Sequence, residues 1–407
     1  MKQLQVWYAG WGEDFQLGTL ADNGRQLLFE YSQAALDRKL ELSPLKLRLS
    51  AASFGDFPAF QHRLPGLFAD SLPDGWGLML MDRLFRQRGI APAGPLERLA
   101  FMGDRAMGAL RYKPAGQLAG LDVDWSLLEL AQESERVLTG APVRDLEALI
   151  LAGGSPQGAR PKALVQYDAR TDRVSTLPDA PGEPWLIKFQ ASNEHKEVCA
   201  IEMLYSELAR ASGIDMPDTR YFDLSSTLSA FGVARFDRER GARVPIHSLA
   251  GLLSIDYSAP GSIDYNGFLR ATRFVTKDER EVVKAYRRAV FNVVMHNRDD
   301  HAKNFAWRLG ADSRWRVAPA YDLTFCEGPG GEHSLDVGGK GNAITRADLN
   351  ALANDAGIRV ATANQVIDEV AEVAGTLAQR ALSCPIRAQT VSSLVRSVES
   401  CRKLVGR

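Results

Sequence analysis

The sequence predicts an α+β fold of more than one lobe, with an additional β-rich and helical subdomain in front. Three observations carry that expectation. Short apolar strands separated by glycine turns fill residues 1–50, a second strand-rich stretch surrounds a Gly-rich turn between about 145 and 237, and everything after about 240 is mainly helical. At 407 residues the chain also exceeds the size at which one core keeps growing, roughly 250–300 residues.

In order along the chain, Val6-Trp7-Tyr8 and Leu27-Leu28-Phe29-Glu30-Tyr31, the latter after Asp22-Asn23-Gly24, read as strands of a small sheet. Residues 57–90 turn helical around Leu67-Phe68 and from Leu78 to Phe85, with Leu72-Pro73-Asp74-Gly75-Trp76-Gly77 between the halves. Gly108-Ala109-Leu110-Arg111-Tyr112-Lys113-Pro114 closes this region, which gives a subdomain over 1–115. The next segment, 145–237, reads as strand Leu149-Ile150-Leu151, a Gly-rich turn 153–158, strand Ala163 to Tyr167, strand Trp185-Leu186-Ile187-Lys188-Phe189, and a helix burying Val198, Ile201, Tyr205 and Leu208 that stops at Gly213. Residues 238–407 form the third segment. Within it, 278–297 reads as a helix with Asp278 and Glu281 in capping-box spacing, and the last 60 residues as Ala-rich helices.

Bulk properties exclude several function classes. Lys+Arg 49 against Asp+Glu 50 leaves a net charge of -1, so no overall field draws the chain to nucleic acid or anionic lipid. The four cysteines contain no CxxC pair and suggest neither a disulfide framework nor a zinc ribbon. No run approaches the roughly 18 apolar residues of a membrane span, and the first residues break into Gly and acidic positions before signal-peptide length. A cytoplasmic protein with no membrane partner is the expectation.

The most informative stretch is His296-Asn297-Arg298-Asp299-Asp300-His301-Ala302-Lys303-Asn304, followed by Phe305-Ala306-Trp307, a turn, and Trp315-Arg316-Val317-Ala318-Pro319-Ala320-Tyr321-Asp322. Phosphoryl transfer to a hydroxyl needs one carboxylate to orient or accept the hydroxyl proton and oxygen ligands to hold magnesium against the ATP phosphates. Asp299 and Asn304 have the spacing of a kinase catalytic loop, and a hairpin then presents Asp322 as a metal-binding acid. Each of these residues alone reads equally as a loop cap. Their order behind a Gly-rich loop, a strand lysine and a helix glutamate favours chemistry.

Gly153-Gly154-Ser155-Pro156-Gln157-Gly158 suits phosphate because glycines expose successive N–H groups, although a plain hairpin turn explains it too. Lys188 in an apolar strand calls for a phosphate or carboxylate nearby, with Glu202 or Glu197 as partner; an exposed edge lysine is the ordinary alternative. Backbone groups of Ala234 and Phe236 are candidates to read an adenine edge, beside the simpler reading of Arg235 with Asp237 or Arg238 as a surface pair. His296 and His301, five apart, have poor zinc spacing.

Together these stretches resemble the HipA family of serine/threonine kinases, toxins usually paired with a small helix-turn-helix antitoxin. The resemblance runs through Phe68-Ala69-Asp70-Ser71-Leu72-Pro73-Asp74-Gly75-Trp76-Gly77, Gly158-Ala159-Arg160-Pro161-Lys162, Leu186-Ile187-Lys188, Ala234-Arg235-Phe236-Asp237-Arg238, the Asn297 to Asn304 run and Ala320-Tyr321-Asp322. It implies a two-lobed protein-kinase-like fold with an all-helical C-terminal lobe. It also implies Asp299 as general base, Asn304 and Asp322 as magnesium ligands, and Lys188, His301 and Lys303 at the nucleotide beneath a loop containing Gly153, Gly154, Ser155 and Gly158. Ser155 is then the candidate for self-silencing autophosphorylation. The implied ligands are ATP and Mg2+, the implied substrate is a protein such as an aminoacyl-tRNA synthetase, and DNA is reached only through the antitoxin. An antitoxin-docked corepressor with weak catalysis and a small-molecule phosphotransferase are the alternatives.

Overall fold

The computed structural model describes residues 2–90, 92–116, 123–153, 156, 158–259 and 261–406. The chain forms two compact units, one of Met1–Cys199, Asp218–His247 and Gly251–Ser254, the other of Ala200–Pro217, Ser248–Ala250 and Ile255–Arg407.

The first unit begins with β1 (Gln3–Tyr8), β2 (Phe15–Asp22) and β3 (Leu27–Tyr31), then α1 (Gln33–Arg38), α2 (Gly66–Ala69), α3 (Gly75–Gln87), α4 (Pro95–Met102) and β4 (Leu110–Lys113). The strands make an antiparallel sheet in the order β3-β2-β1-β4. Strict alternation buries Leu4, Val6 and Tyr8 on one face of β1, as a half-buried strand requires. The turn between β2 and β3 forms because Asp22 and Asn23 side chains accept from the N–H groups of Gly24, Arg25 and Gln26. Helix α3 buries Trp76, Leu80, Met81, Leu84 and Phe85, one apolar stripe at helical spacing.

Next come α5 (Leu127–Leu138), capped reciprocally by Ser126 and Glu129, and α6 (Leu146–Gly153). Here the sequence expectation fails: Leu149-Ile150-Leu151 is helix, not strand. A short apolar run has no decisive period, and the flanking Leu, Glu and Ala are strong helix formers. Asp145 fixes the start by accepting the Ala148 N–H at 2.9 Å. The Gly-rich segment therefore joins a helix to a strand and is no hairpin turn. A five-stranded antiparallel sheet follows: β5 (Lys162–Asp168), β6 (Arg173–Ser175), β7 (Glu183–Phe189), β8 (Thr219–Asp223) and β9 (Ser229–Ala234), in the order β6-β5-β7-β9-β8. Helix α7 (Glu197–Ala211) lies between β7 and β8 in sequence, and the short strands β10 (Arg238–Glu239), β11 (Ala242–Arg243) and β12 (Ile246–Ser248) follow β9.

After α8 (Leu249–Leu253), the second unit is built on α9 (Tyr265–Thr276) and α10 (Glu279–Val294). Its hairpin, β13 (Ala306–Leu309) and β14 (Trp315–Val317), is followed by α11 (Arg346–Asp355), α12 (Val360–Gly375), α13 (Leu377–Ala381) and α14 (Ala388–Val405). The unit is mainly helical, and β13 and β14 extend a three-stranded sheet in the order β12-β13-β14. Helix α10 is the hub, with Val282, Ala285, Tyr286, Ala289, Val290, Phe291 and Val294 fully buried. The capping box expected at its start does not form. Asp278 caps through the Arg280 N–H, while Glu281 turns inward, accepting the Val317 N–H of β14 at 2.8 Å and pairing with Lys284 at 2.7 Å. The Val317 N–H faces the helix, and a buried carboxylate there satisfies it.

Candidate active site

The catalytic-loop candidate begins where α10 ends. Met295 caps the helix, and His296 takes the left-handed conformation (φ 56°) that turns the chain out of it. The loop that follows hangs on a buried polar chain. Asn297 Nδ2 donates to Asn292 Oδ1 (3.0 Å), Asn292 Nδ2 donates to the Tyr265 hydroxyl (3.0 Å), and that hydroxyl donates to Asp300 Oδ2 (2.5 Å). Asp300 also accepts from His333 Nδ1 and from the Ser334 N–H, each at 2.7 Å. Asn292, Asn297, Tyr265 and Asp300 are all at most 1% exposed, so the loop's root is fixed in the core of the unit. Burial and the Asp300 charge push the Tyr265 phenol far above its ordinary range, keeping it a donor.

Above that root, Asp299 points outward, with its side chain 53% exposed and His301 Nε2 3.7 Å away. Asn304 is buried and donates Nδ2 to the Asp299 carbonyl at 2.6 Å, which leaves its Oδ1 as the acceptor end. Lys303 lays its ammonium over the Tyr257 ring, 4.2 Å from the centroid. The hairpin then returns the chain. Arg308 pairs with Arg316 and Leu309 with Trp315, and beyond β14 the Ala320 N–H is held by the Asp215 carbonyl at 2.7 Å.

The Tyr321 hydroxyl donates to the Lys303 carbonyl at 2.7 Å, joining the neighbour of Asp322 to the neighbour of Asn304. Asp322 itself is half-buried at φ 53°, a left-handed turn that Asp tolerates better than most residues. Arg288 on α10 donates to the Tyr321 carbonyl at 2.7 Å. Burial lowers its guanidinium to about 10, against the opposing pull of Tyr321, Tyr265, Asp322 and Asp300. Within the second unit one hydrogen bond thus ties Asn304 to Asp299, another ties Tyr321, the neighbour of Asp322, to Lys303, and the buried Arg288 holds the Tyr321 carbonyl. The sequence reading had no role for Asp300, Arg288, Tyr265 or Asn292; for Arg288 and Asn292, polar positions within the apolar stripe of α10 were the signal.

In the first unit, Lys188 is 8% exposed on β7, an interior strand between β5 and β9, so it is no edge lysine. It stands in register with Lys162 on β5 and with Phe231 on β9, its ammonium 5.9 Å from the Phe231 ring centroid. Directly paired residues share one face of a sheet, which brings two buried lysines side by side. Glu197 is 3% exposed, and so is Glu202, which belongs to the second unit.

Of the Gly-rich loop, Gly153 is the last residue of α6, while Gly154 and Ser155 lie outside the described residues. Gly158 has φ 111°, where a side chain would be strained and would also run into the Lys162 ammonium. Its N–H is held by the Asp74 carboxylate and its carbonyl by the Trp76 N–H at 3.2 Å. Gly158 is therefore engaged by the N-cap of α3, a correction to its expected place among phosphate-facing N–H groups.

Ala234 ends β9, and its N–H is bonded to the Asp218 carbonyl at 2.8 Å, so it offers only its carbonyl to a ligand; Phe236 follows in the connection to β10. The expected surface pair beyond it is a buried cluster instead. Asp237 is 0% exposed and meets Arg235 at 2.8 Å, Arg238 at 2.7 Å and the Gly108 N–H at 2.8 Å. Although burial raises its pKa, the two guanidinium groups and the hydrogen bonds outweigh that and hold the carboxyl well below the usual range; burial brings Arg238 down to about 9.

A helix-anchored Asp/Asn loop followed by a hairpin and a second acid, together with a strand lysine on an antiparallel sheet, defines the kinase class of phosphotransferases. Family comparison makes the class specific. The HipA N-terminal domain matches residues 4–113 and the HipA-like C-terminal domain matches 154–377, so the chain belongs to the HipA family of serine/threonine kinases. Two relatives from Sinorhizobium fredii, Y4dM and Y4mE, both designated kinases by inference, are similar to it. The first is 24% identical over 331 residues, covering 77% of this chain and 75% of the relative, and the second 26% over 348 residues, covering 79% and 77%. Among solved structures, the HipA of a Shewanella oneidensis toxin–antitoxin system, in complex with HipB and operator DNA, has the same fold. It matches with a TM-score of 0.72 at 17% identity, covering 99% of this chain and 97% of that one. Among the described residues, no helix is long and apolar enough to cross a membrane.

Proposed function

We propose that this chain transfers the γ-phosphate of ATP to a serine or threonine hydroxyl of a protein in the cytoplasm, with Asp299 as the base. The observation that carries the reading is the bond between the Tyr321 hydroxyl and the Lys303 carbonyl, since it links the residue before Asp322 to the residue before Asn304. The donor set, an amide oxygen and a carboxylate, is all hard oxygen and fits magnesium; Asn304 and Asp322 would hold it. When bound, magnesium would neutralise charge on the transferring phosphate. Asp299, with its side chain half-exposed, would meet a substrate hydroxyl and take its proton. Lys188 and the Gly-rich loop would hold the phosphates, with Ala234 and Phe236 beside the base and His301 and Lys303 beside the nucleotide. Asn304 keeps Asp299 in position through its carbonyl.

The test is transfer of labelled phosphate from MgATP to a generic protein acceptor. Asp299→Asn should lower the rate by about 10²–10⁴ while leaving the unfolding midpoint unchanged, because the side chain is half-exposed. Equal rates for both proteins would end the assignment. Autophosphorylation at Ser155 is part of the same reading, and a 153–162 peptide that stays unmodified after incubation with MgATP would remove it. A small helix-turn-helix antitoxin as partner, with DNA contacted through it, is proposed by analogy with the Shewanella oneidensis complex. A protein substrate such as an aminoacyl-tRNA synthetase rests on family membership.

A further inference from the structure

Behind the catalytic-loop candidate, the second unit contains a cavity of about 510 Å3 between the loop, the segment after Asp322 and the terminal helix α14. Its lining is one-sided in charge. Arg298, Arg396, His296 and His333 contribute to it, and no Asp or Glu does. Hydroxyls of Ser397 and Ser400 stand on the α14 wall, one turn apart with Arg396, while Val293, Ile344 and Leu404 supply an apolar side.

Arg298 is the informative residue. Its side chain is 13% exposed; Nη1 donates to the carbonyls of Gly331 (2.6 Å) and Glu327 (3.3 Å), yet its buried Nε has no hydrogen-bond partner. A buried donor without a partner is costly, so the Arg298 guanidinium is incompletely satisfied within the chain. Two carboxylates stand close to this group without lining the cavity. Glu327 holds His296 Nε2 at 2.9 Å and stands 3.9 Å from Arg298 Nη1, and Asp300 holds His333 Nδ1 at 2.7 Å. Arg396 is exposed on α14, and no carboxylate among the described residues pairs with it.

We propose that this cavity is a binding site for a phosphate group carried on a larger body, either a phosphorylated side chain or a phosphorylated metabolite. Two guanidiniums and two serine hydroxyls match the several acceptor oxygens of a phosphate, and Arg supplies the planar fork that such oxygens prefer. The volume exceeds what a bare phosphate fills, and the apolar side takes the carbon of the carrier. Occupancy reaches the chemistry through a single peptide bond, because Arg298 is followed by Asp299. The site is separate from the proposed nucleotide site and does not depend on it.

The chain's six histidines make the test selective. The full chain, labelled with 15N in histidine, is titrated with inorganic phosphate, N-acetyl-phosphoserine amide and glucose 6-phosphate. The expected result is saturable movement of the His296 and His333 signals, with His62, His195 and His247 unmoved and with the carrier-borne phosphates binding more tightly than the free ion. The tighter of the two carriers identifies the source. Arg396→Ala, an exposed change, should weaken binding about tenfold or more while the His247 signal reports an intact fold. Movement of His301 alone, absence of saturation by about 10 mM, or equal affinity in Arg396→Ala would each overturn the proposal.

Discussion

Asp300→Ala offers the sharpest test of how the catalytic loop is held. The carboxylate accepts three hydrogen bonds, from the Tyr265 hydroxyl, His333 Nδ1 and the Ser334 N–H, and its side chain is 0% exposed. Removing it leaves three donors in a site closed to water. A buried unsatisfied donor costs roughly 1–3 kcal/mol, and partial relaxation makes the three less than additive, so the loss should be about 3–6 kcal/mol. Tyr265→Phe removes one donor to Asp300 and the acceptor of Asn292, for a loss of about 1–3 kcal/mol. Urea unfolding of the two single variants and the double variant would give the coupling between them. A coupling above about 1 kcal/mol is expected for directly bonded partners. If Asp300→Ala loses under about 1 kcal/mol, or the two changes simply add, the buried chain is not what anchors the loop.

Other expectations concern separate parts of the molecule. Asp237→Ala strands two buried guanidiniums and the Gly108 N–H, and should cost about 3–5 kcal/mol in denaturant unfolding. Because the folded Asp237 carboxyl is depressed, the stability it contributes is present above its unfolded value of 3.8 and disappears only in strong acid. The opposite end of the scale belongs to His296, whose imidazole burial holds below its ordinary 6.5 despite the Glu327 carboxylate. Its unfolded form takes up protons first, so stability should fall as pH drops below about 6.5, and His296→Gln should flatten that fall in unfolding midpoints recorded from pH 7.5 to 5. Asp74→Ala frees the Gly158 N–H and should slow phosphate transfer with little change in the midpoint, the loss appearing in the Michaelis constant for ATP.

Family membership was legible in the sequence because the Asn297 to Asn304 run carries its residues at fixed short spacings, and the hairpin after it could be read from its turn. What escaped is what depends on tertiary partners. Leu149-Ile150-Leu151 is apolar enough for either element, and only the Asp145 cap and the packing of α6 decide for helix. Glu281 has ideal capping-box spacing, but an unpaired N–H on β14 outcompetes the helix end for its carboxylate. Arg235, Asp237 and Arg238 look like surface charges until the Gly108 turn closes over them. In the last two cases the competitor is a residue distant in sequence, invisible to any local pattern.

The grip of Asp74 and Trp76 on Gly158 has a practical bearing on how the front of the chain is understood. Residues from the leading subdomain hold Gly158 at the end of the Gly-rich segment, and both fall within the same compact unit. Trimming the chain back to its C-terminal family domain would remove that hold. A protein so shortened would misreport nucleotide affinity, and any partner that levers α3 would hold a handle on the loop itself.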